Sequence, residues 1–115
     1  MIVLKRAYDP AAASDGRRVL VERLWPRGVA TGRLKLDEWA KEVAPGAALR
    51  RWYGHVPERW PEFRRRYLAE LRANPAAWEP LLAMARRGRV TFVYAARDEE
   101  RNGAVVLKEF LDRKL

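Results

Sequence analysis

The chain has 115 residues, no cysteine, one histidine, and 24 lysines and arginines against 15 aspartates and glutamates, for a net charge of +9. This composition excludes disulfides, thiolate nucleophiles, zinc–cysteine sites and any multi-histidine metal centre within one chain; no glycine-rich phosphate loop is present either, and no metal and no cofactor is expected. The length and the 49% hydrophobic content fit one folded domain, residues 1–115. With no run near the ~18–20 apolar residues of a membrane span and no signal-peptide core, a cytoplasmic protein without membrane contact is expected.

Residues 1–8 begin with Ile2-Val3-Leu4 and read as a first strand of about five residues, stopped by Asp9-Pro10. Ser14-Asp15-Gly16 is a turn signal. A second strand is expected over about residues 18–24, ended by Pro26 and Gly28. Leu36, Trp39, Ala40 and Val43 recur at three and four residues, which predicts a two-turn helix over 36–43. A short helix is expected at 47–53, with Gly54 as its cap. Trp60, Phe63, Tyr67, Leu68 and Leu71 form one apolar face of a longer helix from about Pro61. Asn74-Pro75 starts the next helix, in which Pro80 predicts a kink or a delayed start.

Residues 89–96 form the clearest strand, apolar on both faces and so expected at the sheet centre with helices on each side. Asn102 is a plausible N-cap for the last helix. The expected architecture is α/β, a small, mainly parallel central sheet of about three strands packed by several helices. The Gly16 connection is short for a parallel crossover, so the first two strands could also be antiparallel.

Four blocks carry a resemblance: Val-Leu-Val-Glu-Arg-Leu-Trp-Pro-Arg-Gly (19–28), Trp-Ala-Lys-Glu-Val-Ala-Pro (39–45), Leu-Arg-Arg-Trp-Tyr-Gly-His (49–55) and Tyr-Ala-Ala-Arg-Asp-Glu-Glu-Arg-Asn-Gly-Ala (94–104). In this order they resemble the bacterial family called domain of unknown function 488, in its short YeaO-like branch, over nearly the whole chain. The resemblance implies a compact α/β protein without a settled activity. This chain has Gly46 where the family commonly has serine, and Glu22 where it usually has aspartate.

Arg23, Trp25 and Arg27 follow the second strand; Arg97, Asp98 and Asn102 follow the 89–96 strand. In a parallel sheet both turns lie at the carboxyl edge, where ligands bind. Arg23, Arg27, Arg97 and the amides after Asn102 would suit a phosphate or carboxylate. Trp25, with Trp52 or Tyr53, could stack a planar group. Alternatively, Arg23 pairs with Glu22 or Asp98, and Trp25-Pro26 plugs the core. His55 is a candidate acid–base group, and Asp98 with Glu22 a candidate carboxylate pair for acid–base work or for magnesium. The ridge Arg50, Arg51, Arg59, Arg64, Arg65 and Arg72 would suit nucleic acid, although no recognised nucleic-acid motif covers it. Three functions follow: a small-anion binder or enzyme, a nucleic-acid-binding accessory protein, or a protein-interaction domain.

Overall fold

The three apolar runs near residues 2, 18 and 90 are too short for helices and rich in β-branched side chains. They become the long strands of one sheet. The computed structural model describes residues 1–115. Strands β1 (Ile2–Arg6), β2 (Arg17–Leu20), β3 (Glu38–Trp39) and β4 (Val90–Tyr94) run in the order β1-β4-β2-β3, every neighbouring pair parallel. Ile2 sits beside Val90 and Arg6 beside Tyr94; on the other side Arg17 sits beside Val90 and Leu20 beside Val93. The sheet has four strands rather than about three. β1 and β2 never pair, because β4 lies between them, and this removes the antiparallel alternative. The 7–16 connection therefore spans two strand spacings, and it does so with a single 3-10 turn at Ala13–Asp15.

The segment expected as a helix at 36–43 is strand β3 followed by a 3-10 turn at Lys41–Val43. Its spacing fits a helix, but the free edge of β2 offers better partners. The Asp37 amide donates to Arg18 O (2.8 Å), the Ala40 amide to Leu20 O (2.9 Å) and the Trp39 indole to Glu22 O (2.7 Å). Tertiary hydrogen bonds override a weak local preference. The second strand ends its ladder at Leu20, and Val21 adds one last bond to Val93 O (3.2 Å) before the chain leaves the sheet.

Four helices follow: α1 (Ala47–Tyr53), α2 (Trp60–Arg72), α3 (Pro75–Arg87) and α4 (Gly103–Asp112). Pro80 lies inside α3 on its exposed side, and the helix starts at Pro75 rather than being delayed to Pro80. Successive strand side chains point to opposite faces. Val19, Val21, Val90, Phe92 and Tyr94 join buried residues of all four helices in one cluster; Ala7, Leu20 and Val93 join Leu34 in another. Helices thus cover one face only. On the other, the helices expected there are replaced by the irregular 21–37 crossover, whose Trp25, Val29 and Leu36 pack with Trp39 on the second cluster.

Gly16 makes the turn into β2 possible. Its φ of +65° is left-handed, and a Cβ there would collide with the Arg89 carbonyl oxygen. Gly16→Ala is expected to cost about 2 kcal/mol or more in urea denaturation, since the backbone strain and the backbone collision add. A loss below half that figure would show that the turn relaxes freely.

Candidate binding cavity at the carboxyl edge

Parallel strands deliver their following turns to one edge, and here that edge is hollow. A cavity of about 420 Å³ opens where β1, β2 and β4 end. Tyr8 comes to it from β1, and Val21, Glu22, Leu24, Trp25, Pro26 and Arg27 from beyond β2. Ala95 and Ala96 come from β4; the opposing wall is Arg50, Arg51, Tyr53 and His55, with Phe63 from α2. Asn102, Gly103 and Ala104 bring the start of α4 to the same space.

Asn102 caps α4 as expected: its Oδ1 accepts from the Val105 amide (3.0 Å) and its Nδ2 donates to Asp98 O (2.9 Å). Its side chain is thereby used within the fold. What the cap leaves open are the Gly103 and Ala104 amides, first-turn donors without an intrahelical partner. Glu22 Oε1 accepts from the Ala95 amide (3.0 Å), joining the ends of β2 and β4. Glu22 is the one carboxylate in the lining, against Arg27, Arg50 and Arg51, none of which takes part in an ion pair.

Trp25 has a double role. Its indole donates to Val29 O (2.7 Å) and its ring meets Trp39 edge-on at 5.4 Å, while part of it lines the cavity. Tyr53 is buried and donates to Arg101 O (2.9 Å). Burial, reinforced by the Asp98 charge, raises its hydroxyl pKa despite the opposing pull of Arg101, so it is a fixed neutral wall.

Trp25, Arg27, Asn102 and His55 therefore share one space. Arg23 and Arg97 do not reach it, although both turns lie at the same sheet edge. Arg23 turns toward a smaller cleft of about 130 Å³ beside Tyr67 and Glu70, where it donates to Ala44 O (3.3 Å) and leaves its Nε unpartnered. It pairs with neither Glu22 nor Asp98. Arg97 is exposed on its turn. Asp98 is held by Arg101 Nε (2.9 Å) and by the Glu100 and Arg101 amides, which depress its pKa. Asp98 and Glu22 are not a carboxylate pair in the cavity, because Asp98 does not line it. His55 is exposed, in a left-handed conformation (φ 57°), with its ring 5.6 Å from Tyr53.

Sequence reasoning assigned Arg50 and Arg51 to a ridge with Arg59, Arg64, Arg65 and Arg72. The structure divides that ridge. Arg64 pairs with Glu109 (2.6 Å) and Arg65 with Glu62 (2.6 Å). Arg59 and Arg66 lie over the Trp52 ring (5.5 and 4.6 Å), so Trp52 is no wall of the cavity. Tyr8 was missed as well; its distance from the other lining residues in the chain hides it from any local pattern.

The family model described as "Inactive DUF488-N3 subclade" matches residues 1–115. Uncharacterized protein YeaO of Escherichia coli strain K12 is 43% identical over 111 residues, 96% of this chain and 96% of its own. Uncharacterized protein Rv3073c of Mycobacterium tuberculosis is 42% identical over 107 residues, 93% of this chain and 90% of its own. No solved structure matches the chain.

Proposed function

The chain belongs to the DUF488 family, among its YeaO-like members, and from that premise we propose that it binds a small planar anion, phosphate-bearing and nucleotide-like, without turning it over. One observation carries this reading: the 420 Å³ cavity combines Arg27, Arg50 and Arg51 with the open start of α4, against a single carboxylate already engaged by a backbone amide. Guanidinium groups and first-turn amides are the donors that phosphate oxygens take up. Val21, Trp25, Pro45, Phe63 and the half-buried Ala95 and Ala96 supply an apolar body for a ring. The volume falls in the range of small-molecule sites.

The case for binding without chemistry rests on the titratable groups. General acid–base work needs a proton-transfer group positioned on the reacting atom, commonly with a partner to orient it. His55 makes no hydrogen bond to another side chain, and Asp98 is tied to Arg101 outside the cavity. The family model's own description, inactive, supports the same reading.

Titration calorimetry with nucleoside 5′-monophosphates tests it, with the nucleoside and inorganic phosphate as separate controls. The monophosphate is expected to bind more tightly than either part, and Arg27→Ala to weaken it by roughly 10-fold, one charge-assisted contact. Absence of binding by every monophosphate would end the proposal.

A further inference from the structure

Four large hydrophobic side chains are strongly exposed. Met1 and Leu115 are chain ends. The other two, Tyr8 (41% exposed) and Leu24 (59%), both stand at the cavity mouth. Exposed aromatic rings are ordinarily mobile; Tyr8 is held at both ends. Its hydroxyl donates to Arg27 O (3.0 Å), and the Arg6 guanidinium lies over its ring at 5.1 Å. Arg6 is itself fixed, its Nε donating to Ala96 O (3.0 Å). A ring immobilised from below and at its tip, yet open to solvent, gives up conformational freedom without the return of burial. Such a ring is a prepared stacking surface.

Resting on the cavity reading above, we propose that the ligand is a segment of single-stranded nucleic acid, one nucleotide seated in the cavity and the adjacent base stacked on Tyr8 beside Leu24. The surrounding charge fits a phosphodiester chain: Arg27, Arg50 and Arg51 are unpaired at the same mouth, whereas Arg64 and Arg65 on α2 are matched by Glu109 and Glu62. Single-strand binders combine these two features, basic groups along the backbone and aromatic faces for successive bases. A duplex keeps its bases stacked inside and offers none to a concave site.

Fluorescence anisotropy on the full chain tests the idea with thymidine 5′-monophosphate as competitor, 5′-phosphorylated di- and tetrathymidylate, and a 12-base-pair duplex. The tetranucleotide is expected to bind at least 10-fold more tightly than the mononucleotide. Tyr8→Ala is expected to remove roughly 5- to 150-fold of the oligonucleotide affinity, the span seen when a stacking aromatic is truncated, and to weaken the mononucleotide, whose cavity it also borders, by a clearly smaller factor. Tyr8→Trp, which restores a larger ring, is expected to recover most of it. Equal affinity for mono- and tetranucleotide would overturn the strand proposal and leave the cavity reading standing. Duplex binding as tight as single-strand binding, indifferent to Tyr8→Ala, would also overturn it, by reducing the interaction to surface charge. Failure of every nucleotide and oligonucleotide would overturn both readings.

Discussion

Asp15→Ala is expected to destabilise the protein by about 3–5 kcal/mol, the loss that follows when one partner of a buried ion pair is removed. Against a total stability on the order of 5–15 kcal/mol, that change would leave little margin. The Asp15 carboxylate accepts from Lys5 Nζ (3.0 Å), from Arg18 Nη1 (2.7 Å) and from the Ala12 amide (3.0 Å). Arg18 is only 4% exposed, and its Nε donates to Leu34 O (2.7 Å) while its Nη2 already lacks a partner. Without Asp15 a guanidinium would remain buried with one carbonyl for support. The cluster also does architectural work: it ties the 7–16 connection to the 21–37 crossover beneath the face of the sheet that no helix covers. Thr91 Oγ1 donates to Asp15 O (2.7 Å) and anchors the same turn to β4.

The pH dependence follows from the same contacts. Burial alone pushes the Asp15 carboxyl up, but the Ala12 amide, Lys5 and Arg18 together hold it below its ordinary value of 3.8. A carboxylate with a depressed folded-state pKa stabilises the fold above its unfolded pKa. That contribution is lost as pH falls through the folded value. Stability carried by this group should therefore be flat above about pH 5 and fall below pH 4. In Asp15→Asn this part of the acid dependence should vanish. Urea midpoints measured from pH 7 to pH 3 check both points; an Asp15→Ala protein within 1 kcal/mol of the parent would refute the role given to the cluster.

The second large effect concerns binding rather than folding. Arg50→Gln combined with Arg51→Gln is expected to weaken a nucleoside monophosphate by roughly 100-fold, since two charge-assisted contacts are lost together. Stability should stay within about 0.5 kcal/mol of the parent, because both side chains are exposed, neither is in an ion pair, and glutamine keeps the helix preference. The comparison that isolates the cavity is Arg64→Gln with Arg65→Gln. It removes the same charge from α2, where both guanidiniums are already neutralised by glutamates. If the α2 pair weakens binding as much as the α1 pair, net charge governs affinity and the cavity does not.

Where the sequence was legible, the reason lies in strong local patterns. The apolar stripe of α2, the Asn102 cap and the doubly buried β4 run each depend on neighbours within a few residues. The parallel arrangement then placed the turns after β2 and β4 at one edge, so Trp25, Arg27 and Asn102 could be expected together. The misreadings depend on distant partners. Residues 36–43 have helical spacing, and only the unpaired edge of β2 makes Glu38–Trp39 a strand. Arg23 and Arg27 are equivalent in the sequence, four residues apart on the same turn, yet Arg23 is drawn away by Ala44 O. Arg97 lies at the correct edge but faces solvent. Arg50, Arg51 and Tyr8 reach the cavity from other parts of the chain, and nothing in their local sequence separates them from ordinary surface residues. Asp15 looked like a turn residue beside Gly16; its buried pairing with Arg18 becomes visible only once the crossover folds over β2.

Amide chemical-shift mapping during titration with a nucleoside 5′-monophosphate tests the cavity most directly, because it reports location as well as affinity. The Gly103 and Ala104 amides, the open donors of α4, should shift most and saturably, accompanied by the Trp25 indole and the Arg50–His55 backbone. Unshifted Gly103 and Ala104 resonances, or saturable shifts centred on the Arg23 cleft, would contradict a ligand site at the carboxyl edge of the sheet.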